Sequence, residues 1–238
     1  MAQVLQNQIT NYSVSMKINK NYKIKEMFYS LQGEGMHCGR PAIFCRFSKC
    51  NLWNGREKDR KNAICNFCDT DINGTDGING GIYNKENLVA KVISLLPPEL
   101  NNQNRFIVCT GGEPALQLDS SLISALHDID FEIAIETNGT LPLPESIDWI
   151  CCSPKGKSEV VLKECDELKL VFPQEDAMPE RFNDIKAKFF FLTPMAPPNI
   201  DDVVYPSEDD ITKRTIEYCL MNPKWRLNLQ THKVLEIA

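Results

Sequence analysis

From residue 22 onward, apolar residues fall into two periods. Short alternating or unbroken apolar runs at 22–29, 42–47, 106–109, 131–136, 148–152, 167–172, 188–192 and 225–229 have the period and length of strands. Leu88, Val89, Val92, Ile93 and Leu96 recur instead at helical spacing, which predicts a helix over 85–96 that Pro97 and Pro98 end. A second helix is expected over 120–129. Ser207 with Asp210 reads as an acidic capping box that opens a third, running to about Met221. Strands alternating with helices predict an α/β fold around a parallel sheet, closed or partly closed into a barrel. The first nineteen residues are rich in Asn and Gln and show no sustained period. Residues 1–21 therefore read as an N-terminal arm and 22–238 as one domain.

Several strands run into clusters of Gly, Pro, Ser, Thr or Asn. These are Leu31-Gln32-Gly33-Glu34-Gly35, Thr110-Gly111-Gly112-Glu113-Pro114, Thr137-Asn138-Gly139, Ser153-Pro154-Lys155 and Thr193-Pro194-Met195-Ala196. Parallel folds place their sites in loops at the carboxyl ends of strands, so these clusters are expected to converge on one face. The net charge of −6 speaks against a nucleic-acid or membrane-surface binder, which needs a basic face, and favours a small-molecule site. No apolar run approaches the ~20 residues of a membrane span. Residues 1–19 hold no apolar leader segment, so the protein is expected to be soluble and cytoplasmic, where thiols stay reduced.

That compartment changes the reading of the ten cysteines. Cys38, Cys109, Cys151, Cys152, Cys165 and Cys219 are scattered, whereas Cys45, Cys50, Cys65 and Cys68 cluster, as metal-binding or catalytic thiols do. A structural zinc site would take all four thiolates, and an iron-sulfur cluster with one open iron would take three. In the strand 42–47 side chains alternate, so Cys45 shares a face with Ile43 and Phe47 while Arg46 points the other way. Cys45 is then a small core residue. Cys50, Cys65 and Cys68 are left to hold a 4Fe-4S cluster whose fourth iron is open to an exogenous chelate.

In chain order, LQGEG (31–35), FCRF (44–47), CNLW (50–53), CDTD (68–71), TGGEP (110–114), ETNG (136–139), SPK (153–155), TPM (193–195) and LQTHK (229–233) span nearly the whole sequence. This ordered set resembles the 7-carboxy-7-deazaguanine synthase family, the ring-contracting radical S-adenosylmethionine (SAM) enzymes of the queuosine pathway. Radical SAM enzymes usually separate the three cysteines by three and two residues; here the gaps are fourteen and two, similar to a variant within that family.

The resemblance implies a partial, open parallel β/α barrel of the radical SAM type, and a lyase converting 6-carboxy-5,6,7,8-tetrahydropterin to 7-carboxy-7-deazaguanine with loss of ammonia. It implies SAM contacts from Phe67, Cys68, Asp69, Gly112, Ser153, Pro154, Lys155, Thr193, Pro194, Met195 and Ala196, and Mg²⁺ on Thr70. For the pterin it implies Leu31, Gln32, Gly33, Arg46, Thr110 and the terminal carboxylate of Ala238, with Glu34 beside them. Arg46 suits the substrate carboxylate, although an internal Asp or Glu is the ordinary partner of such an arginine. His232 is given no proton-transfer role. A homodimer is also implied.

Residues 51–64 form a charged insertion in which Arg56, Lys58, Arg60 and Lys61 face Glu57 and Asp59. Such a run is usually a solvated face. Its attachment to the cluster loop suggests docking of an acidic flavodoxin-like or ferredoxin-like electron donor. The competing readings are another radical SAM enzyme, such as a glycyl-radical activase, and a zinc-binding interaction module.

Overall fold

A computed structural model describes residues 20–100, 105–196 and 207–237. Most of the expected N-terminal arm, and Ala238, lie outside them. Among the described residues nine strands form one open sheet: β1 (Tyr22–Leu31), β2 (Pro41–Phe47), β3 (Gly81–Tyr83), β4 (Phe106–Gly111), β5 (Glu132–Thr137), β6 (Trp149–Cys152), β7 (Glu164–Phe172), β8 (Lys186–Pro194) and β9 (Arg226–Leu227). Their order is β3-β1-β2-β4-β5-β6-β7-β8-β9. Pairing from β2 through β9 is parallel, and β1 is antiparallel to both neighbours.

Among the described residues four α-helices accompany the sheet: α1 (Lys85–Ser94), α2 (Ser120–His127), α3 (Glu208–Met221) and α4 (Thr231–Leu235). The first three begin at side-chain caps. Asn84, Asp119 and Ser207 accept from the backbone N–H groups of Asn87, Leu122 and Asp210, satisfying donors the helix leaves open.

Regular alternation of strand and helix does not hold throughout. No helix joins β5 to β6 or β6 to β7, and only 3₁₀ turns at Glu175–Ala177 and Pro179–Phe182 lie between β7 and β8. Pro142 and Pro144 in the first connection, and Pro154 with Gly156 in the second, oppose helix formation. Apolar residues of these extended segments cover the sheet instead: Leu143 and Ile147 pack on the first core, and Val160 and Leu162 on the second. β3 was not expected, since it is only three residues after a Gly-rich loop. The last strand is shorter than 225–229 because Trp225 turns into the second core, edge-on to Phe190.

Strand alternation sorts the side chains. Met27, Cys45, Phe47, Ile107, Cys109, Ile133 and Ile135 pack outward on Leu88, Val92, Leu122, Ile123 and Leu126 of α1 and α2. Phe44, Phe106, Val108 and Ala134 form a separate inner cluster. The loop after β1 plugs that interior. Gly35, at φ +67°, brings its backbone against Glu167, where any Cβ would collide, and Met36 N–H donates to that carboxylate at 2.9 Å. His37 then lies against Phe106 and Trp149, with ring centroids 5.0 and 4.4 Å away. Arg40 stacks on Phe106 and pairs with Glu132. With this lower end filled, the carboxyl ends of the strands are left to form a cavity. Among the described residues no helix is long and apolar enough to cross a membrane.

Candidate active site

A cavity of about 680 Å³ opens at the carboxyl ends of the parallel strands. Its framework is set by the strand-end clusters. At the end of β4, Gly112 N–H donates to the Phe47 carbonyl and Glu113 N–H to the Lys49 carbonyl, each at 2.9 Å. A Cβ on Gly112 would run into the Lys49 carbonyl, so only glycine lets this turn lie against the start of the cysteine loop. Glu113 is fully buried. Its carboxylate accepts from Thr137 Oγ1 and Asn138 N at 2.7 Å and from Ala115 N at 3.0 Å, tying the end of β4 to that of β5. Burial raises its pKa against the pull of those donors.

Cys50, Cys65 and Cys68 all line the cavity and are unpaired by disulfides. Cys50 Sγ accepts from Leu52 N–H at 3.4 Å, and burial pushes its thiol pKa up. Cys65 and Cys68 hydrogen-bond to each other, which lowers Cys68 to about 7 and raises Cys65. Lys155 lies near enough to favour both thiolates, and its ammonium is held by the Ser153 carbonyl and hydroxyl. Cys45 is 1% exposed on the outer face beside Cys109, which burial drives up to about 12.

The donor set fits an iron-sulfur cubane. It presents three sulfur ligands in one cavity beside a cation, and a cubane takes such thiolates on separate irons. Among the described residues, no three His, Cys, Asp or Glu side chains are grouped to hold a single metal ion.

Around the cysteines the cavity gathers nearly every other residue singled out in the sequence. Phe67, Asp69, Gly112, Ser153, Lys155, Thr193, Pro194, Met195 and Ala196 line it; Pro154 is buried but does not. Leu31, Gln32, Gly33, Arg46 and Thr110 line another part. Arg46 has an internal partner after all. Its Nε lies 3.1 Å from Glu26 Oε1, without the alignment of a hydrogen bond. Thr70 also lines the cavity, between Asp69, which pairs with Lys233 at 2.6 Å, and Asp71, which pairs with Lys25 at 2.5 Å. In the insertion, Arg56, Lys58 and Lys61 are exposed, but Arg60 is buried, so the expected basic patch is smaller than its sequence.

Among the cavity residues to which the sequence reading gave no role are Trp53, Lys169 and Glu136. Trp53, from the insertion, forms part of the wall. Lys169 Nζ lies 2.6 Å from Glu34 Oε2 and 3.5 Å from Glu136 Oε1. Burial opposes ionisation of Glu34, but Lys169 and the Gln230 amide outweigh it and hold its pKa at about 2. Glu136 also accepts from Gln32 Nε2 at 3.0 Å. The signal was a lysine two residues from Glu167, flanked by Leu168 and Leu170 in the apolar half of β7. His232 joins the cavity wall on α4, packed so closely on Gly33 that a Cβ there would strike the imidazole ring.

Proteins with this sequence pattern are known. The chain is 51% identical over 217 residues to 7-carboxy-7-deazaguanine synthase of Bradyrhizobium diazoefficiens, covering 91% of this chain and 99% of that one. It is 52% identical over 215 residues to the enzyme of the same name from Caulobacter vibrioides, covering 90% and 98%. The crystal structure of QueE from Escherichia coli superposes with a TM-score of 0.64 at 28% identity, over 88% of this chain and 93% of that one. No family model matches the sequence.

Proposed function

The chain belongs to the 7-carboxy-7-deazaguanine synthase family of radical SAM enzymes, and from that membership we propose how its cavity converts 6-carboxy-5,6,7,8-tetrahydropterin to 7-carboxy-7-deazaguanine with loss of ammonia. The activity is that of a radical SAM lyase of queuosine biosynthesis. The observation that carries the site assignment is the meeting of Cys50, Cys65 and Cys68 with Arg46, Glu34 and Glu136 in one cavity.

Cys50, Cys65 and Cys68 would hold the 4Fe-4S cluster. Bound there, the group would supply the electron for cleavage of SAM to methionine and a 5′-deoxyadenosyl radical able to take a hydrogen from carbon 6 of the pterin. The chain's own task is positioning. Gly112 allows backbone to approach SAM, while Ser153, Lys155 and residues 193–196 line its path. Arg46 offers its fork to the substrate carboxylate, and Gln32, Thr110 and the Glu136 carboxylate face the pterin edge. Thr70 would be the protein ligand for Mg²⁺; one hydroxyl is a weak ligand, so the ion would depend on substrate oxygens and water as well, and it would serve to orient the substrate.

The exposed side chains of Arg56, Lys58 and Lys61 suit an acidic flavodoxin-like or ferredoxin-like donor. Reversing the charges of Arg56 and Lys58 should impair flavodoxin-driven turnover more than dithionite-driven turnover, and equal effects would sink that assignment. The protein acts as a cytoplasmic homodimer in this reading. The deciding experiment is anaerobic turnover of 6-carboxytetrahydropterin with SAM and reductant after iron-sulfur reconstitution. Release of deoxyadenosine with the deazaguanine is expected. A protein that takes up zinc and no iron would overturn the reading.

A further inference from the structure

Residues 51–64 look like charged surface, but Arg60 is only 7% exposed. It sits on a 3₁₀ turn, Glu57–Asn62, whose three-residue period brings Glu57 directly beneath it. Arg60 Nε donates to Glu57 Oε2 at 2.7 Å, and a second nitrogen donates to Oε1, so the carboxylate grips the guanidinium at two points. Its Cζ lies over the Trp53 ring, 4.1 Å from the centroid. The remaining terminal nitrogen points into the cysteine loop, donating to the Asn66 carbonyl at 3.1 Å and the Cys68 carbonyl at 2.7 Å.

A guanidinium fixed on one side by a carboxylate and an indole is therefore tied on the other to the backbone between Cys65 and Cys68. We propose that Arg60 is a positioning residue for the cluster: it sets the Cys65–Cys68 turn through two carbonyls and places a permanent positive charge beside the thiolates. This rests on the cluster reading above. A reduced cluster carries one more negative charge than an oxidised one, so a nearby cation favours reduction. Arginine alone supplies both effects, because only its planar fork can hold Glu57 and two carbonyls together.

Wild type, Arg60→Met, Arg60→Lys and Glu57→Gln are reconstituted anaerobically with iron and sulfide. Iron per protein, the rate of iron loss to a chelator and the midpoint potential are then measured. Arg60→Met should lose iron several-fold faster and show a more negative potential. Arg60→Lys keeps the charge but not the two-carbonyl clamp, so its iron loss should also be several-fold faster while its potential stays at the wild-type value. Wild-type rate and potential in Arg60→Met would overturn the proposal. Should that variant fail to fold, Glu57→Gln decides through its rate alone: faster loss supports the clamp and unchanged loss refutes it. Wild type that takes up no iron would overturn the cluster reading instead.

Discussion

Lys169 Nζ donates to Glu34 Oε2 across 2.6 Å, joining the middle of β7 to the loop that plugs the barrel. Lys169 is buried and Glu34 is largely so, their side chains 7% and 14% exposed. Burial opposes the charge on Lys169, and the Cys151 sulfur with the Glu136 and Glu34 carboxylates outweighs it and raises its pKa. Removing one partner of such a pair leaves the other charge uncompensated, which costs about 3–5 kcal/mol. Lys169→Met should lose stability on that scale in urea unfolding. Lys169→Met with Glu34→Gln should lose less than the sum of the single changes, since the double variant leaves no unpaired charge at this contact. Additive losses would show that the pair does not act as one.

The same pair predicts a pH dependence. The Glu34 pKa is lowered in the folded chain from an ordinary 4.5 to about 2, so its contribution is present above 4.5 and is lost as pH falls toward 2. A shift of that size corresponds to about 3 kcal/mol, of which about 2 disappears by pH 3. Glu113 and Glu167 have raised values, so their contributions fall as pH rises, the opposite sign. Subtracting the Glu34→Gln profile from wild type cancels these two. The wild-type advantage should shrink between pH 6 and pH 3 in urea titrations, and a constant difference would contradict the assignment.

How far the sequence reveals this site depends on whether a residue's role is local. Ser207 and Asp210 announce their cap because its partners are three residues apart. Cys45 and Arg46 separate onto opposite faces because alternation in β2 is a local rule. Lys169 meets Glu34 across 135 positions, a contact that no period encodes. Arg60 is closer to home, yet its burial depends on Trp53 swinging over it, and a charge-rich string gives no sign of that. The connections around β6 are the opposite case: Pro142 and Pro144 stand in plain sight and oppose a helix locally, and none forms there.

Cysteine replacement separates the cluster ligands from the core. Cys50→Ala, Cys65→Ala and Cys68→Ala should each fold and each fail to retain iron after reconstitution. Cys45→Ala should retain iron at the wild-type ratio. Its cost is a small cavity beside Cys109, about 1 kcal/mol. Iron analysis with urea unfolding on the four variants checks both, and loss of iron from Cys45→Ala would reinstate a fourth thiolate.

Gly112→Ala places a Cβ against the Lys49 carbonyl, in the turn that also carries the first cysteine. The turn must shift, and with it the backbone facing SAM. Equilibrium binding of SAM to the reconstituted protein should weaken at least tenfold, about 1.4 kcal/mol. Gly39→Asn is the matching control. Gly39 has a positive φ that Asn tolerates, and open space where the Cβ would go. SAM binding should be unchanged in it. Equal binding in both would remove Gly112 from the site.

Arg46 has two claims on it, and kinetics can tell them apart. Its Nε faces Glu26, so a purely structural arginine would be satisfied by that carboxylate and indifferent to substrate. A guanidinium that also receives the substrate carboxylate uses its outer edge for a paired contact that an ammonium cannot reproduce. Arg46→Lys should then raise KM for 6-carboxytetrahydropterin about tenfold or more, with the larger effect on KM than on kcat. Glu26→Gln releases the guanidinium from its internal anion and should leave KM unchanged or lower it. If Glu26→Gln raises KM as far as Arg46→Lys does, the ion pair itself is what matters, and the substrate carboxylate must be held elsewhere.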